Sequence, residues 1–322
     1  MSAKKARILD IWAGQAEVDW PYLATLMAAG LIHGVIIRQG QGDYEDTRFA
    51  EHVQGAYDVG IPAVAYHVHE PRLYTAMQVL DVDRWPGIED DPQMVRIRKS
   101  LTFKRIYGLA TDVEVTKEYN GNLITDAWLS QTARHQKDMI DLEYGSLYGF
   151  RPLYSADWYT DGYSPSTKVW LHKHDLWWAK YIQPAKVTAL LSWEDLEQYI
   201  PDEKYWPFPE CTGIIEGRKK AILWQWTGDR FVLPGIYGEN HKATALDFNL
   251  FDGTPEEWYE LIGFDPGSVP VPVDPGNGED DDDDDDELPV VDTEWQAAML
   301  AEAKKQTALL EKLNVKQLKD LI

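Results

Sequence analysis

Short apolar runs recur along this chain, each followed within a few residues by a segment of helical period, and that alternation limits the fold more than any other feature. Arg7-Ile-Leu-Asp-Ile-Trp12 is the first run, Gly34-Val-Ile-Ile-Arg38 the second and Ile61-Pro-Ala-Val-Ala-Tyr-His67 the third. The helix between the first two has Asp19 as its cap, Pro21 in its first turn, Leu23, Leu26 and Met27 on its apolar face and Gly30 as its stop. The next carries Phe49, Val53 and Tyr57 and ends at Gly60. Strands spaced this closely by helices run parallel and are covered by them. Further runs at 107–115, 150–154, 175–181, 221–226 and 246–251 bring the strands to eight, with helices over 123–144 and 255–262. Residues 70–106 and 184–219 read as insertions, the first with helical stretches near 71–80 and 92–102. The expected fold is α/β, a single (β/α) TIM-like barrel, and such barrels carry their sites at the C-terminal ends of the strands.

Asp10, Asp112 and Glu114 fall at or near such ends. Asp112 and Glu114 are two residues apart, so on a strand they share a face, with Cα atoms roughly 6.5–7 Å apart. Like charges that close resist ionising together, and one carboxyl keeps its proton to higher pH. Glycoside cleavage uses that arrangement, with one protonated donor and one ionised group beside a cationic sugar. A bare D-x-E triplet is common; the apolar strand before it and the acids on other strands give this one weight. Asp247 joins them only if the last strand runs opposite to the rest.

A net charge of −23, nine of it in Glu279–Glu287, argues against nucleic acid and anionic membrane surfaces as partners. The lone Cys211 excludes an intrachain disulfide. No signal peptide or transmembrane run is read, so the chain is expected to be made in the cytoplasm and to reach any external target after release or inside a particle. His67-x-His69 and His172-x-His174 have a zinc-like spacing, but no third ligand is evident, so neither a metal nor another cofactor is expected. The barrel is expected over 1–264. Residues 265–292, rich in Pro, Gly and Asp, read as an extended acidic linker. Over 293–322, Met299, Ala303, Gln306, Leu310 and Leu313 form a weak heptad, an amphipathic helix for self-association or protein docking.

Taken together, Asp10-Ile-Trp…Val-Asp-Trp20, Val35-Ile-Ile-Arg-Gln-Gly-Gln-Gly42, Asp46-Thr-Arg-Phe49, Ala65-Tyr-His67, Asp112-Val-Glu114, Leu176-Trp-Trp-Ala-Lys-Tyr181, Leu223-Trp-Gln-Trp226 and Asp247-Phe-Asn249 resemble, in order, the strand signatures of glycoside hydrolase family 25, the lysozymes of bacteria and their phages. The resemblance spans about residues 6–262. It implies an antiparallel last strand and hydrolysis of the β-1,4 bond between N-acetylmuramic acid and N-acetylglucosamine in bacterial peptidoglycan. It further implies Glu114 as general acid, Asp112 as stabiliser of the cationic transition state through the substrate's own N-acetyl group, and Asp10 and Asp247 as groups that hold and polarise the site. Tyr66, Trp177 and Trp224 would form stacking walls, with Arg38, Tyr154 and Tyr181 as further substrate contacts. The chain departs from the family at Trp12 and Ala13, where a small polar residue and often His stand, and at Gln41, which replaces a Glu. Two rival readings are a non-catalytic glycan-binding barrel in a particle and a chitinase-type glycosidase. The four acids speak against the first. Tyr107 and Ala110, at two acid positions of the chitinase run, speak against the second.

Overall fold

The computed structural model describes residues 5–74, 85–101, 105–114, 118–119, 122–123, 125–160, 164–182, 191–209 and 220–268. Eight strands form the barrel: β1 Arg7–Ile11, β2 Gly34–Gln41, β3 Ala63–Val68, β4 Leu109–Asp112, β5 Leu153–Ala156, β6 Leu176–Ala179, β7 Leu223–Gly238 and β8 Lys242–Phe251. β1 to β7 follow one another as parallel neighbours; β8 is inserted antiparallel between β7 and β1 and closes the ring. The sequence expectation of an α/β barrel with a reversed last strand is met.

The helices are α1 Trp20–Ala28, α2 Phe49–Asp58, α3 Pro92–Leu101, α4 Asp126–Tyr144, α5 Asp157–Thr160, α6 Pro165–Leu171 and α7 Pro255–Ile262. Asp19 caps α1 by accepting from the Tyr22 amide at 3.0 Å, and Gly30 ends that turn at φ +68°, where a side chain would be strained. Trp20, Leu23 and Leu26 of α1 join Phe49, Val53 and Ala56 of α2 against the outward residues of β1 and β2. α7 opens with a Thr254–Glu257 capping box. Its Trp258 and Ile262 pack with Phe150 and Phe251 and with the inward residues Ile8, Ile36 and Val64, at the end of the barrel opposite the acids. Successive strand residues alternate faces. Ile8, Ile36, Val64, Tyr66, Ala110, Tyr154, Trp177 and Leu223 therefore form one inner cluster, and Leu9, Val35, Ala65 and Trp224 belong to the outer layer under the helices.

Three boundaries differ from the sequence reading. β7 runs on to Gly238 although Thr227-Gly-Asp-Arg230 breaks its alternation, because β-bulges absorb the irregularity while β8 and Glu17–Val18 pair its backbone. β5 starts at Leu153; Phe150 makes only a bridge to Gly108. Of the helical stretch expected near 71–80, Pro71–Leu73 is a 3-10 turn and residues 75–80 lie outside the described residues. The acidic linker and C-terminal helix also fall outside them, apart from 265–268. Among the described residues no helix is long and apolar enough to cross a membrane.

Candidate active site

Four carboxylates meet at the C-terminal end of the parallel strands. Asp10 lies on β1 and Asp112 ends β4, each facing inward and 6% and 2% exposed. Glu114 follows two residues later, half-buried. Asp247 arrives from β8 directly opposite Asp10, because the β1–β8 register pairs the two residues. A last strand running the other way would carry this carboxylate elsewhere; its reversal is what completes the group.

Burial is the largest influence on all four. It lifts Asp10 well above the usual carboxylate range, with Asp247 and then Glu114 adding to the effect, while the Tyr66 hydroxyl and Arg38 oppose it. Asp112 is raised well above that range by burial, then by Glu114 and Asp10, against Arg38. Glu114 is raised by burial, against a hydrogen bond from Tyr159 and the charge of Arg38. Asp247 is pushed up to about 7 by burial, although the Asp229 amide donates to its Oδ1 at 2.7 Å. Asp229 makes that bond from a left-handed backbone, φ +51°. Buried carboxyls crowded in this way keep their protons further toward neutral pH, which is the property a proton donor needs.

Arg38 is half-buried, with its charge acting on Asp10, Asp112 and Glu114. Its Nη2 donates to Gln41 Oε1 at 2.9 Å and Tyr44 Oη at 2.7 Å. Tyr66 and Tyr154 are buried around Trp177, at ring-centroid distances of 5.6 and 4.4 Å. Trp177 donates through Nε1 to Asn249 Oδ1 at 2.7 Å and is 1% exposed, so it backs the site from within the barrel and is not the open stacking wall expected of it. Tyr181 is exposed at the rim.

Trp224 needs correcting. Expected as a stacking wall, it is fully buried on the outer side of β7, donating to the Lys180 carbonyl at 2.9 Å and packed on Trp206. Alternation turns its neighbour Gln225 inward instead. Trp158 is 47% exposed and stands 4.9 Å from the Tyr181 ring. Trp170, Trp178 and Trp206 are buried. The sequence reading also missed Gln225 and Tyr159. The first was legible as the inward neighbour of Trp224; the second lies on α5 and carries no local signal.

His67 bonds Gln39 Oε1 at 2.6 Å, and His69 bonds Gln136 and Thr132 at 2.7 and 2.9 Å. Burial holds them down at about 3 and about 4, so both stay neutral structural groups. Among the described residues no group of His, Cys, Asp and Glu is arranged to hold a metal ion.

Fold and site together define an α/β barrel with one antiparallel strand and a buried carboxylate cluster at its C-terminal rim. No protein-family model matches the sequence, and no curated protein matches it at a significant level. Solved structures do. The catalytic domain of the endolysin ply40 from bacteriophage P40 of Listeria monocytogenes matches over 82% of this chain and 100% of its own, with a TM-score of 0.51 and 20% identity. A bacterial lysozyme from Streptomyces coelicolor matches over 80% of this chain and 97% of its own, with a TM-score of 0.51 and 15% identity. At these identities the likeness establishes a common fold.

Proposed function

We propose that this chain is a peptidoglycan hydrolase, an N-acetylmuramidase of the glycoside hydrolase family 25 type. The observation that carries the reading is the half-buried Glu114 beside the buried Asp112, at the catalytic end of a barrel shared with a phage endolysin domain and a bacterial lysozyme. Glu114 is the proton donor. Burial raises its carboxyl, so it keeps its proton further toward neutral pH, while its partial exposure leaves it open to substrate.

Glu114 gives its proton to the glycosidic oxygen between muramic acid and N-acetylglucosamine. The C1–O bond breaks, with its electron pair going to that oxygen. The carbonyl oxygen of the muramic acid's acetamido group closes on C1 from the opposite face. Asp112 accepts a hydrogen bond from the acetamido N–H, and its Oδ1, which has no donor among the described residues, is the acceptor available. Glu114, now ionised, draws a proton from water, which opens the ring intermediate and leaves a reducing muramic acid. Asp10 and Asp247 hold the negative field around the cationic centre. Arg38 limits how far that field suppresses ionisation. Tyr66 and Tyr154, backed by Trp177, seat the sugar, and Tyr181 borders it at the rim.

The finer setting belongs to the same reading: a phage-type lysin acting on the cell wall, with residues 265–292 as spacer and 293–322 as a docking or assembly segment. Mass spectrometry of fragments released from purified peptidoglycan tests it. Reducing-end muramic acid is expected; intact glycan strands, or reducing-end glucosamine alone, would sink it.

A further inference from the structure

We infer that Trp12 is the wall of an additional glycan subsite on the β1–β2 side of the acid cluster, shaped for a neutral N-acetylhexosamine ring; the inference rests on the glycosidase reading above. Trp12 is 44% exposed immediately after β1, two residues beyond Asp10. An exposed indole is ordinary when it is loose, but this one is held. Its amide donates to Gln15 Oε1 at 2.9 Å, its carbonyl accepts from the Gln15 amide at 2.9 Å, and the Gln15 side chain is tied to the Ala245 carbonyl of β8 at 3.2 Å. The Ala13 amide donates to Asp46 Oδ2 at 3.2 Å. A Cβ at residue 14 would stand 2.5 Å from the Trp12 ring, so Gly14 is what lets the turn fold against the indole. These contacts fix the turn that carries the indole and leave one flat apolar face open beside the acid cluster.

Its surroundings say what covers it. The Arg38 guanidinium carbon lies 5.9 Å from the ring centroid, and also 5.9 Å from that of the exposed Tyr44. Arg38 Nε is buried with no hydrogen-bond partner among the described residues. Trp12 and Arg38 each stand two residues beyond a register pair of β1 and β2, Asp10 and Ile36, so the platform lies next to the Asp10 end of the acid cluster. The indole also borders a cavity of about 560 Å³, lined with it by Ala13, Gly14, Thr47, Arg48, Glu51 and Glu239. That volume is within the ~300–1,000 Å³ of small-ligand sites. The mixture of one apolar wall with donors and acceptors suits a sugar, whose C–H face lies on an indole while its hydroxyls and acetamido group turn to the polar rim. Arg48 is already matched by Glu51, with Nη1 at 2.9 and 3.1 Å from the two carboxylate oxygens. Glu239 leaves the cavity with a negative excess, which favours the neutral N-acetylglucosamine over a carboxylate-bearing muramic acid.

The test uses the full chain and Trp12→Ala and Trp12→Tyr variants. Calorimetric titration with the N-acetylglucosamine tetramer should show binding to the wild type weakened about tenfold by Trp12→Ala, equivalent to ~1.4 kcal/mol, and largely restored by Trp12→Tyr. On purified glycan strands the Ala variant should raise KM by a similar factor with kcat nearly unchanged. If the wild type cleaves no glycan but Trp12→Ala still weakens tetramer binding, the subsite stands and the hydrolase reading falls. Equal tetramer affinity with and without the indole, no tetramer binding by the wild type, or a lost kcat at unchanged KM would each overturn the subsite, whatever the protein hydrolyses. Unchanged circular dichroism of both variants separates these outcomes from misfolding.

Discussion

Asp10 and Asp247 face each other in register across the antiparallel β1–β8 pair, and one carboxamide, that of Gln225, reaches both. Its Nε2 lies 2.9 Å from Asp247 Oδ2 and 3.5 Å from Asp10 Oδ2. Tyr154 donates to Gln225 Oε1 at 2.6 Å, with the Tyr181 hydroxyl at 3.4 Å. An ionised carboxylate only accepts, so the two acids draw the nitrogen end of the amide toward them and leave its oxygen to the hydroxyls.

Removing those donors should therefore act on the acids' titration. A donor to a carboxylate favours its ionised form, so Gln225→Met should raise the Asp10 and Asp247 pKa values and move the acid limb of the pH–activity profile to higher pH. A loss of roughly tenfold or more in kcat/KM is expected, since hydrogen bonds to charged groups are worth about 1.5–3 kcal/mol. Tyr154→Phe, which frees the amide to turn over, should shift the limb the same way by less. An unmoved acid limb in both variants would show that the amide only fills space.

The proposed proton donor, Glu114, has its own signature. Glu114→Gln should remove nearly all activity and leave the fold intact. Tyr159 gives the finer measurement, because its hydroxyl bonds Glu114 and holds its pKa down against burial. Tyr159→Phe should let that pKa rise, so the alkaline limb, where the donor loses its proton, moves to higher pH. Movement to lower pH, or wild-type turnover in Glu114→Gln, would place the donor elsewhere.

The barrel was legible because each strand is a short apolar run bounded by turn residues, and the helices around it carry their own stops, as Asp19 and Gly30 show for α1. Asp10, Asp112 and Glu114 were legible for the same reason: strand ends can be counted. Asp247 was legible only as a condition, since strand direction is set by which neighbours pair with β8 and not by its residues. Trp224 was expected at the site because the resemblance, not strand alternation, put it there; alternation turns only one of Trp224 and Gln225 inward, and the Gln225 contacts with the acids show which. Tyr159 and Trp158 stand on the four-residue helix α5. Nothing in Asp157-Trp-Tyr-Thr160 marks which ring meets Glu114 and which meets water, because the turn out of β5 decides it.

The acid cluster should cost the fold stability, and the pH dependence of that cost has a definite sign. All four carboxyls are raised in the folded chain, Asp247 to about 7. A raised carboxyl holds its proton more tightly folded than unfolded. The cluster's own contribution to stability is therefore highest below the ordinary carboxylate range near pH ~4, falls as pH climbs through the folded values, and stays low above them. Asp112→Asn removes one of these charges at nearly constant shape, at a residue 2% exposed whose Oδ1 has no donor among the described residues. The variant should lose most of its activity yet unfold at a higher temperature than the wild type near pH ~8, with the advantage shrinking toward pH ~4 as the wild-type carboxyl regains its proton. For a domain of this size each 1 kcal/mol is worth roughly 2–4 °C, so scanning calorimetry at three pH values resolves it. A variant no more stable than the wild type near pH ~8, or one whose advantage is the same at both ends of the range, would mean that Asp112 ionises without cost and that the crowding of charge around it is relieved some other way.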